Sequence, residues 1–308
     1  MPTVAVLMST YNGEKYIREQ LDSIFAQKDV DVRLYVRDDG SKDTTVNILK
    51  EYKKLYPIEI IQDGENVGPG DSFMRLVYRY ANEPDIEYYA FADQDDIWLD
   101  DKMIIAIKRI EQEESTEPTL YSSNQTIYRN GKECGLRHNE PQNTSLVFHL
   151  SVNTIAGCTF VFNKALAMAF ANAKEPSETI KKMRIHDSWL MLVAISIGKV
   201  IYDTKSHMLY RIHEANAVGI KKISLREKWE RFRKLIFPTV ESNLRMQTAQ
   251  QLLNTYDCKE EAQRVLLLFA NYQKDWRAKK NLMCDKQIKA ECTDGPLLFS
   301  VKVLFNRV

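Results

Sequence analysis

The stretch Phe91-Ala92-Asp93-Gln94-Asp95-Asp96-Ile97-Trp98-Leu99-Asp100-Asp101 carries five carboxylates in eleven residues, directly after the apolar run Tyr88-Tyr89-Ala90. Like charges crowded at the end of a strand are costly unless a cation sits among them or water reaches them all. Asp93 and Asp95, at i and i+2, can both turn toward one hard cation where the chain leaves a sheet. Mg²⁺ and Mn²⁺ take oxygen ligands and keep further positions for water and substrate phosphates. Standing alone, such a pair reads more readily as a solvated loop with helix-capping acids.

It does not stand alone. Asp38-Asp39-Gly40-Ser41 ends a second apolar run, and Ser9-Thr10-Tyr11-Asn12 ends a third. A carboxylate at the former can accept the ring N–H of a pyrimidine, and Gly40 lets the backbone approach a base. Asp, Gly and Ser are also ordinary turn residues. Three polar strand ends converging on one crevice are what make the combination specific.

A frame must bring those ends together. Residues 4–8, 32–39, 58–62 and 87–93 are strand-length runs. Helical spacing follows each: Ile17, Leu21, Ile24 and Phe25; Val46, Ile48, Leu49 and Tyr52, with Asp43 placed to cap; about Ser72 to Tyr80, after a Gly-Pro-Gly turn; and Met103, Ile104, Ile107 and Ile110. This alternation predicts a parallel, doubly wound α/β sheet with ligands off the carboxyl ends of its strands. Beyond residue 119, Asn130-Gly131 predicts a hairpin. NTIAGCTFVFNKALAMAF reads as a strand entering a helix, HDSWLMLVAISIG as an apolar helix, and KVIYD and SHMLYRIH as final strands.

The division expected is a mixed α/β domain at 1–218 and a helical, basic extension at 219–308. Residues 221–234 set seven Lys/Arg against two Glu, while Leu225, Trp229, Phe232 and Ile236 share one helical face. Such a helix either lies on an anionic membrane surface or packs its apolar stripe on the core.

With 44% hydrophobic and 28% charged residues over 308 positions, the chain has a globular composition. A net charge of +1 argues against a dedicated nucleic-acid binder. Five scattered cysteines without a C-x-x-C pair fit reduced thiols better than a disulfide framework or zinc site. No signal-peptide pattern and no membrane-length apolar run is present, so the expectation is a soluble cytoplasmic protein. Neither a Walker loop nor a G-x-G-x-x-G fingerprint occurs.

STYNGEKYI, VRDDGSKDTT, ENVGPGDSF, FADQDDIWLDDKM and IHDSW, in this order over roughly residues 3 to 215, resemble the inverting glycosyltransferases of family 2, whose fold is GT-A. Asp-Gln-Asp-Asp-Ile-Trp, His-Asp-x-Trp and LYRIHEANAVG are similar to bacterial rhamnosyltransferase-like members. The resemblance implies that Thr10, Tyr11 and Asp39 contact the nucleotide base, with Asn12 in the same nucleotide-binding stretch. Asp93 would face the ribose or the metal's waters, and Asp95 would ligate the Mn²⁺ or Mg²⁺ that bridges the diphosphate. Asp187 matches the catalytic base, which in the family usually follows a Glu. Here His186 precedes it, and whether His186 touches donor or acceptor stays open. His213 is either a further metal ligand or diphosphate contact, with Arg211 beside it, or a packing residue. Trp189 either walls the acceptor pocket or belongs to the core with Leu190 and Leu192. Gly157-Cys158-Thr159 falls where relatives hold the sugar, and a strand bend explains it as well. Asn66-Val67-Gly68, followed by Asp71-Ser72-Phe73, departs from the family's Asn-x-Gly with a downstream Arg-Asn.

The activity implied is metal-dependent transfer of a sugar, L-rhamnose from dTDP-rhamnose or a sugar from a UDP donor, to a glycan or lipid-linked glycan in surface polysaccharide synthesis. The place implied is the cytoplasm or the cytoplasmic membrane face. An attacking hydroxyl needs one base, the leaving diphosphate needs a cation, and one in-line displacement inverts the anomeric centre. A haloacid-dehalogenase phosphatase would carry its Asp-x-Asp on the first strand of its core. A nucleotidylyltransferase would show a Gly-rich, Arg-containing loop after strand one. A non-catalytic nucleotide-sugar-binding subunit would have no need of Asp187. Within the opening stretch, Asp96 is expected to support Asp93 and Asp95 from behind, and Asp100 and Asp101 to start the next helix, where negative charge is favoured.

Overall fold

The computed structural model describes residues 1–113, 116–213 and 243–308. Four parallel strands, β1 (Thr3–Thr10), β2 (Asp31–Asp38), β3 (Ile58–Ile61) and β4 (Tyr88–Ala92), lie in the order 3-2-1-4. The helices that follow them are α1 (Ile17–Phe25), α2 (Thr45–Tyr52), α3 (Gly68–Tyr80) and α4 (Lys102–Ile110). β1 is apolar on both faces because both are covered. Val4, Val6 and Met8 join a cluster with Leu21, Ile48 and Ile107, while Ala5 and Leu7 join another with Phe73 and Leu76.

α3 begins at Gly68 rather than near Ser72. The Gly-Pro-Gly segment is its first turn, not a turn before it, since Pro is suited to the first helical positions, where its missing N–H is not needed. After β4 comes a two-residue strand, β5 (Ile97–Trp98), which no periodicity could reveal. The predicted hairpin is β6 (Thr119–Arg129) and β7 (Lys132–Leu136), turned by Asn130 and Gly131 at φ 51° and 77°. β8 (Val161–Asn163) runs antiparallel to both β4 and β6. The two final strands expected are one, β9 (Lys199–Arg211), parallel to β6 and antiparallel to β5. Pairing jumps from Ser123 with Asp203 to Asn124 with Ser206, so Thr204 and Lys205 bulge without ending the strand. The whole sheet reads 3-2-1-4-8-6-9-5, with β7 beside β6.

α5 (Leu146–Ser151), α6 (Lys164–Ala171), α7 (Glu178–Met183) and α8 (His186–Ile197) pack on the α3 side of the sheet. Further helices, α9 (Leu244–Thr255), α10 (Glu260–Asn271), α11 (Trp276–Cys284), α12 (Lys286–Glu291) and α13 (Pro296–Leu304), share that cluster, where Leu252, Leu266 and Phe269 join Leu190 and Val193 of α8. The basic helix expected at 221–236 and the boundary expected at 218/219 lie outside the described residues. Among the described residues, no helix is long and apolar enough to cross a membrane.

Candidate active site

Thr10 and Asp38 end β1 and β2 in register, and Thr10 Oγ1 donates to Asp38 Oδ1 at 3.0 Å. Asp38 also accepts from Ser41 N at 2.9 Å and Ser41 Oγ at 2.5 Å, shaping the turn through Gly40, whose φ is +85°. The Thr10 hydroxyl is therefore turned inward to Asp38, and it is Tyr11, 46% exposed, that faces the crevice. Asn12 adopts φ 48°, accepts from Lys42 N at 2.8 Å, and donates its own N–H to Ser41 Oγ at 2.9 Å.

Asp39 is buried. Its Oδ1 accepts from Arg37 Nη1 at 2.6 Å and Val67 N at 2.8 Å, and its Oδ2 accepts from Gly68 N at 2.8 Å. The fully buried Arg37 also reaches Asp63, by Nη2 at 2.7 Å and Nε at 3.0 Å. An anion above the first amides of a helix is electrostatically well placed. A carboxylate has about four lone-pair positions, so Oδ2 retains capacity for one further donor. Sequence reading missed these partners because Val67 and Gly68 act through their main chain, which residue types do not disclose.

Gln94, the middle residue of the acidic triplet, fixes the crevice. Tyr11 N donates to its Oε1 at 2.9 Å, and its Nε2 donates to Tyr11 O at 3.0 Å. A Cβ on Gly13 would lie 2.3 Å from Gln94 Oε1, so a side chain there would have to push the Gln94 amide off Tyr11. Gln94 thus stands between two acids facing different spaces. Asp95 lines a cavity of about 900 Å³ with Tyr11, Lys15, Tyr16, Arg211 and His213. Asp93 lines a cavity of about 420 Å³ with Gly157, His186 and Asp187.

In the larger cavity, the end of β9 brings His213 and Arg211 onto Asp95. His213 Nε2 lies 2.8 Å from Asp95 Oδ2, and Arg211 Nε donates to Asp95 O at 2.8 Å. Arg211 also bonds Glu19 at 2.9 Å and lies 4.6 Å from the centre of the Tyr16 ring, which packs 4.8 Å from His213. Asp96 is buried behind them and accepts from Arg211 N at 3.1 Å. Burial, then the charges of Asp95 and Asp187, pushes the Asp93 carboxyl up to about 7. Burial, then Asp93 and Asp95, raises that of Asp96 well above its ordinary value. Such mutual repulsion is what a divalent cation relieves, and a carboxylate with an imidazole is a donor set that Mn²⁺ tolerates. Asp95 and His213 therefore fit a metal. A second grouping, Asp93, Asp96 and Cys158, has ligand atoms within 4.8 Å of one another. Burial and the two acids push the Cys158 thiol up.

In the smaller cavity, the first turn of α8 presents Asp187. Burial raises its carboxyl to about 6, against hydrogen bonds from the Ser188 and Gly157 N–H groups and the Asn153 side chain. The His186 ring stacks on Phe73 at 4.2 Å and meets Phe91 edge-on at 5.1 Å. Burial pulls its pKa down to about 3, so it is neutral and cannot stand in for an acid. A Cβ on Gly157 would lie 2.9 Å from both Asp187 Cβ and His186 Nε2, which explains the glycine of the Gly157–Thr159 turn. Trp189 does not wall this cavity. It is fully buried in the core, because two residues along a helix turn it about 200° from Asp187. Asp100 and Asp101 precede α4 as expected, and in addition pair with Lys28 at 2.5 Å and His207 at 3.2 Å.

A model of the family described as Glycosyl transferase family 2 matches residues 5–168. The chain is 35% identical over 232 residues to the dTDP-rhamnosyl transferase RfbG of Shigella flexneri, an alignment covering 73% of this chain and 77% of that protein. It is 26% identical over 233 residues to an uncharacterized glycosyltransferase of Rickettsia typhi, covering 73% and 69%. The solved structure of S. aureus TarS 1–349 in complex with UDP-GlcNAc superposes with a TM-score of 0.62 at 19% identity, over 100% of this chain and 89% of that one. That likeness is one of fold, and the mixed sheet flanked by helices is the GT-A arrangement the sequence predicts.

Proposed function

The chain belongs to glycosyl transferase family 2, and on that premise we propose metal-dependent, inverting transfer of L-rhamnose from dTDP-rhamnose to an acceptor glycan. The observation that carries the reading is the pair of cavities meeting at the acidic triplet, with Asp95, His213 and Arg211 in one and Asp187 in the other. The nucleoside takes the larger cavity beside Tyr11 and Asn12, its diphosphate runs past Asp95 toward the smaller cavity, and the free capacity of the buried Asp39 accepts the ring N–H of the pyrimidine. Thymine and uracil present the same N–H, and the 35% identity to a dTDP-rhamnosyl transferase favours thymine over a UDP donor. Asp93 lines the smaller cavity, next to where the two cavities meet, and faces the ribose or the metal's waters. Asp95 and His213 would hold Mn²⁺ or Mg²⁺, which when bound neutralises charge on the departing diphosphate.

Asp187 removes the proton of the acceptor hydroxyl. A carboxyl raised to about 6 is a stronger base than an ordinary one and is still ionised at neutral pH. A buried carboxylate with no salt-bridge partner among the described residues disfavours a non-catalytic binding subunit, which gains nothing from it. The transferase unit runs to about residue 218, with 219–308 as a helical extension. The acceptor is a glycan or lipid-linked glycan of surface polysaccharide synthesis, met at the cytoplasmic membrane face.

The test is release of nucleoside diphosphate from dTDP-rhamnose and a panel of UDP-sugars, with Mn²⁺ and with EDTA. Turnover that EDTA abolishes is expected, and Asp187→Asn should lower it by about 10²-fold or more while donor affinity is retained. No turnover of any donor, or indifference to EDTA, sinks the metal-dependent reading. Loss of donor binding in Asp187→Asn removes Asp187 from the role of base.

A further inference from the structure

Arg137, just after β7, lines the smaller cavity with Asp93, Asp187 and Tyr210. Among the described residues its guanidinium has no carboxylate at ion-pair distance, although the other charged groups it meets in that cavity include two acids. It is nevertheless held firmly. Its Nη1 donates to Gln125 Oε1 at 2.7 Å, its backbone N–H to Gln125 O at 2.8 Å, and its guanidinium lies 5.0 Å from the centre of the Tyr210 ring. Gln125 is itself buried and donates Nε2–H to Cys158 Sγ at 3.2 Å. Cys158 in turn adjoins Asp93 and Asp96. The donors run in one direction, from Arg137 through Gln125 and Cys158 to the carboxylates. This chain fixes Gln125 by both ends of its amide, and so fixes the fork that Arg137 presents.

A pre-oriented guanidinium that lines this cavity and has no counter-ion among the described residues calls for an anion. We infer that Arg137, steadied by Gln125 and Tyr210, forms an anion subsite for the sugar-side phosphate of the donor. The inference rests on the transferase reading. In the displacement the acceptor oxygen bonds to the anomeric carbon. The bond from that carbon to the phosphate oxygen breaks, its electron pair stays on the phosphate, and the acceptor's proton passes to Asp187. Arg137 meets the charge that grows on that phosphate oxygen, and Gln125 is a positioning residue. The competing role is a staple that only pins the end of the hairpin to β6.

The two roles separate by kinetics. Arg137→Ala is expected to lower kcat about 100-fold with a smaller change in the donor KM, and added guanidinium should restore part of the loss. Arg137→Lys should fall between the two, because an ammonium keeps the charge and loses the fork. Gln125→Leu should lower kcat by about tenfold with no response to guanidinium. Melting temperatures identify the folded fraction for each variant. Wild-type kcat in folded Arg137→Ala, or a loss that guanidinium does not relieve, overturns the subsite and leaves the transferase reading intact. If the unaltered protein turns over no nucleotide sugar, both fall together.

Discussion

On the proposed reaction, Asp187 ties activity to stability. Its carboxyl, ordinarily near 3.8, is raised to about 6 in the fold, so the folded chain binds this proton more tightly than the unfolded one. The stability contributed by the protonated group is fully present below about pH 3.8 and is lost as pH rises through about 6. Above that, the buried charge costs about 3 kcal/mol at most. Asp187→Asn is therefore expected to melt a few degrees higher than the wild type at pH 7.5, with the difference vanishing near pH 4. Equal melting curves at pH 7.5 would mean the carboxylate is better solvated than its burial implies. Wild-type turnover should rise with pH through about 6, as the base ionises. At this scale the sequence disclosed what depends on residue type. Asp95 was legible as a carboxylate at a strand end, and Asp187 and His213 were singled out through the resemblance of IHDSW and LYRIHEANAVG to the family's motifs. Gln94 looked like an inert spacer, since its function is a two-point bond to the main chain of Tyr11. Arg37 was hidden inside an apolar strand, and the amides that hold Asp39 have no signature of type at all.

The short turn Gly157–Thr159 shows how an element positions chemistry. It passes so close to the first turn of α8 that Gly157→Ala must displace Asp187 or His186. A turnover loss of about tenfold to 100-fold is expected, with donor affinity close to wild type, as steady-state kinetics and calorimetry would read. Unchanged kcat would mean that the helix start yields without moving the carboxylate. The repeating elements were legible from periodicity, and the hairpin from Asn130-Gly131. β9 was split in two because Thr204 and Lys205 interrupt the alternation on which strand reading depends. β5 is two residues long and exists through its pairing with β9, a partner about a hundred residues away that local pattern cannot supply. The start of α3 was placed late because Gly-Pro-Gly was read as a breaker, whereas Pro69 sits where a helix accepts it.

Across the whole molecule, the sheet carries one cluster on each face, and α9 to α13 belong to the cluster that also holds α8. Phe269, fully buried and edge-on to Phe299 at 6.2 Å, lies well inside it. Phe269→Ala should cost about 3 to 5 kcal/mol and lower the melting of the helices and the nucleotide crevice together. Circular dichroism and nucleotide-analogue binding, followed through one thermal ramp, would show it. Two separated transitions, with binding unaffected by the first, would mean that the two regions fold independently. Composition pointed to a basic extension after residue 218, but the shared core could not be anticipated, because the apolar faces of α9 and α10 name no partner until α8 is set against them.

The contact between Lys259 N and Ser196 O, at 2.9 Å, fastens the far end of α8 to the segment leading into α10. The helix that presents Asp187 is thus mounted on late-chain sequence, while the proposed pyrimidine contacts, Tyr11, Asn12 and Asp39, sit on loops of the first hundred residues. On the proposed function, variation in α9 and α10 would re-aim Asp187 against a new acceptor without touching the loops assigned to the nucleotide. Such a lineage would keep its donor while its acceptor diverged.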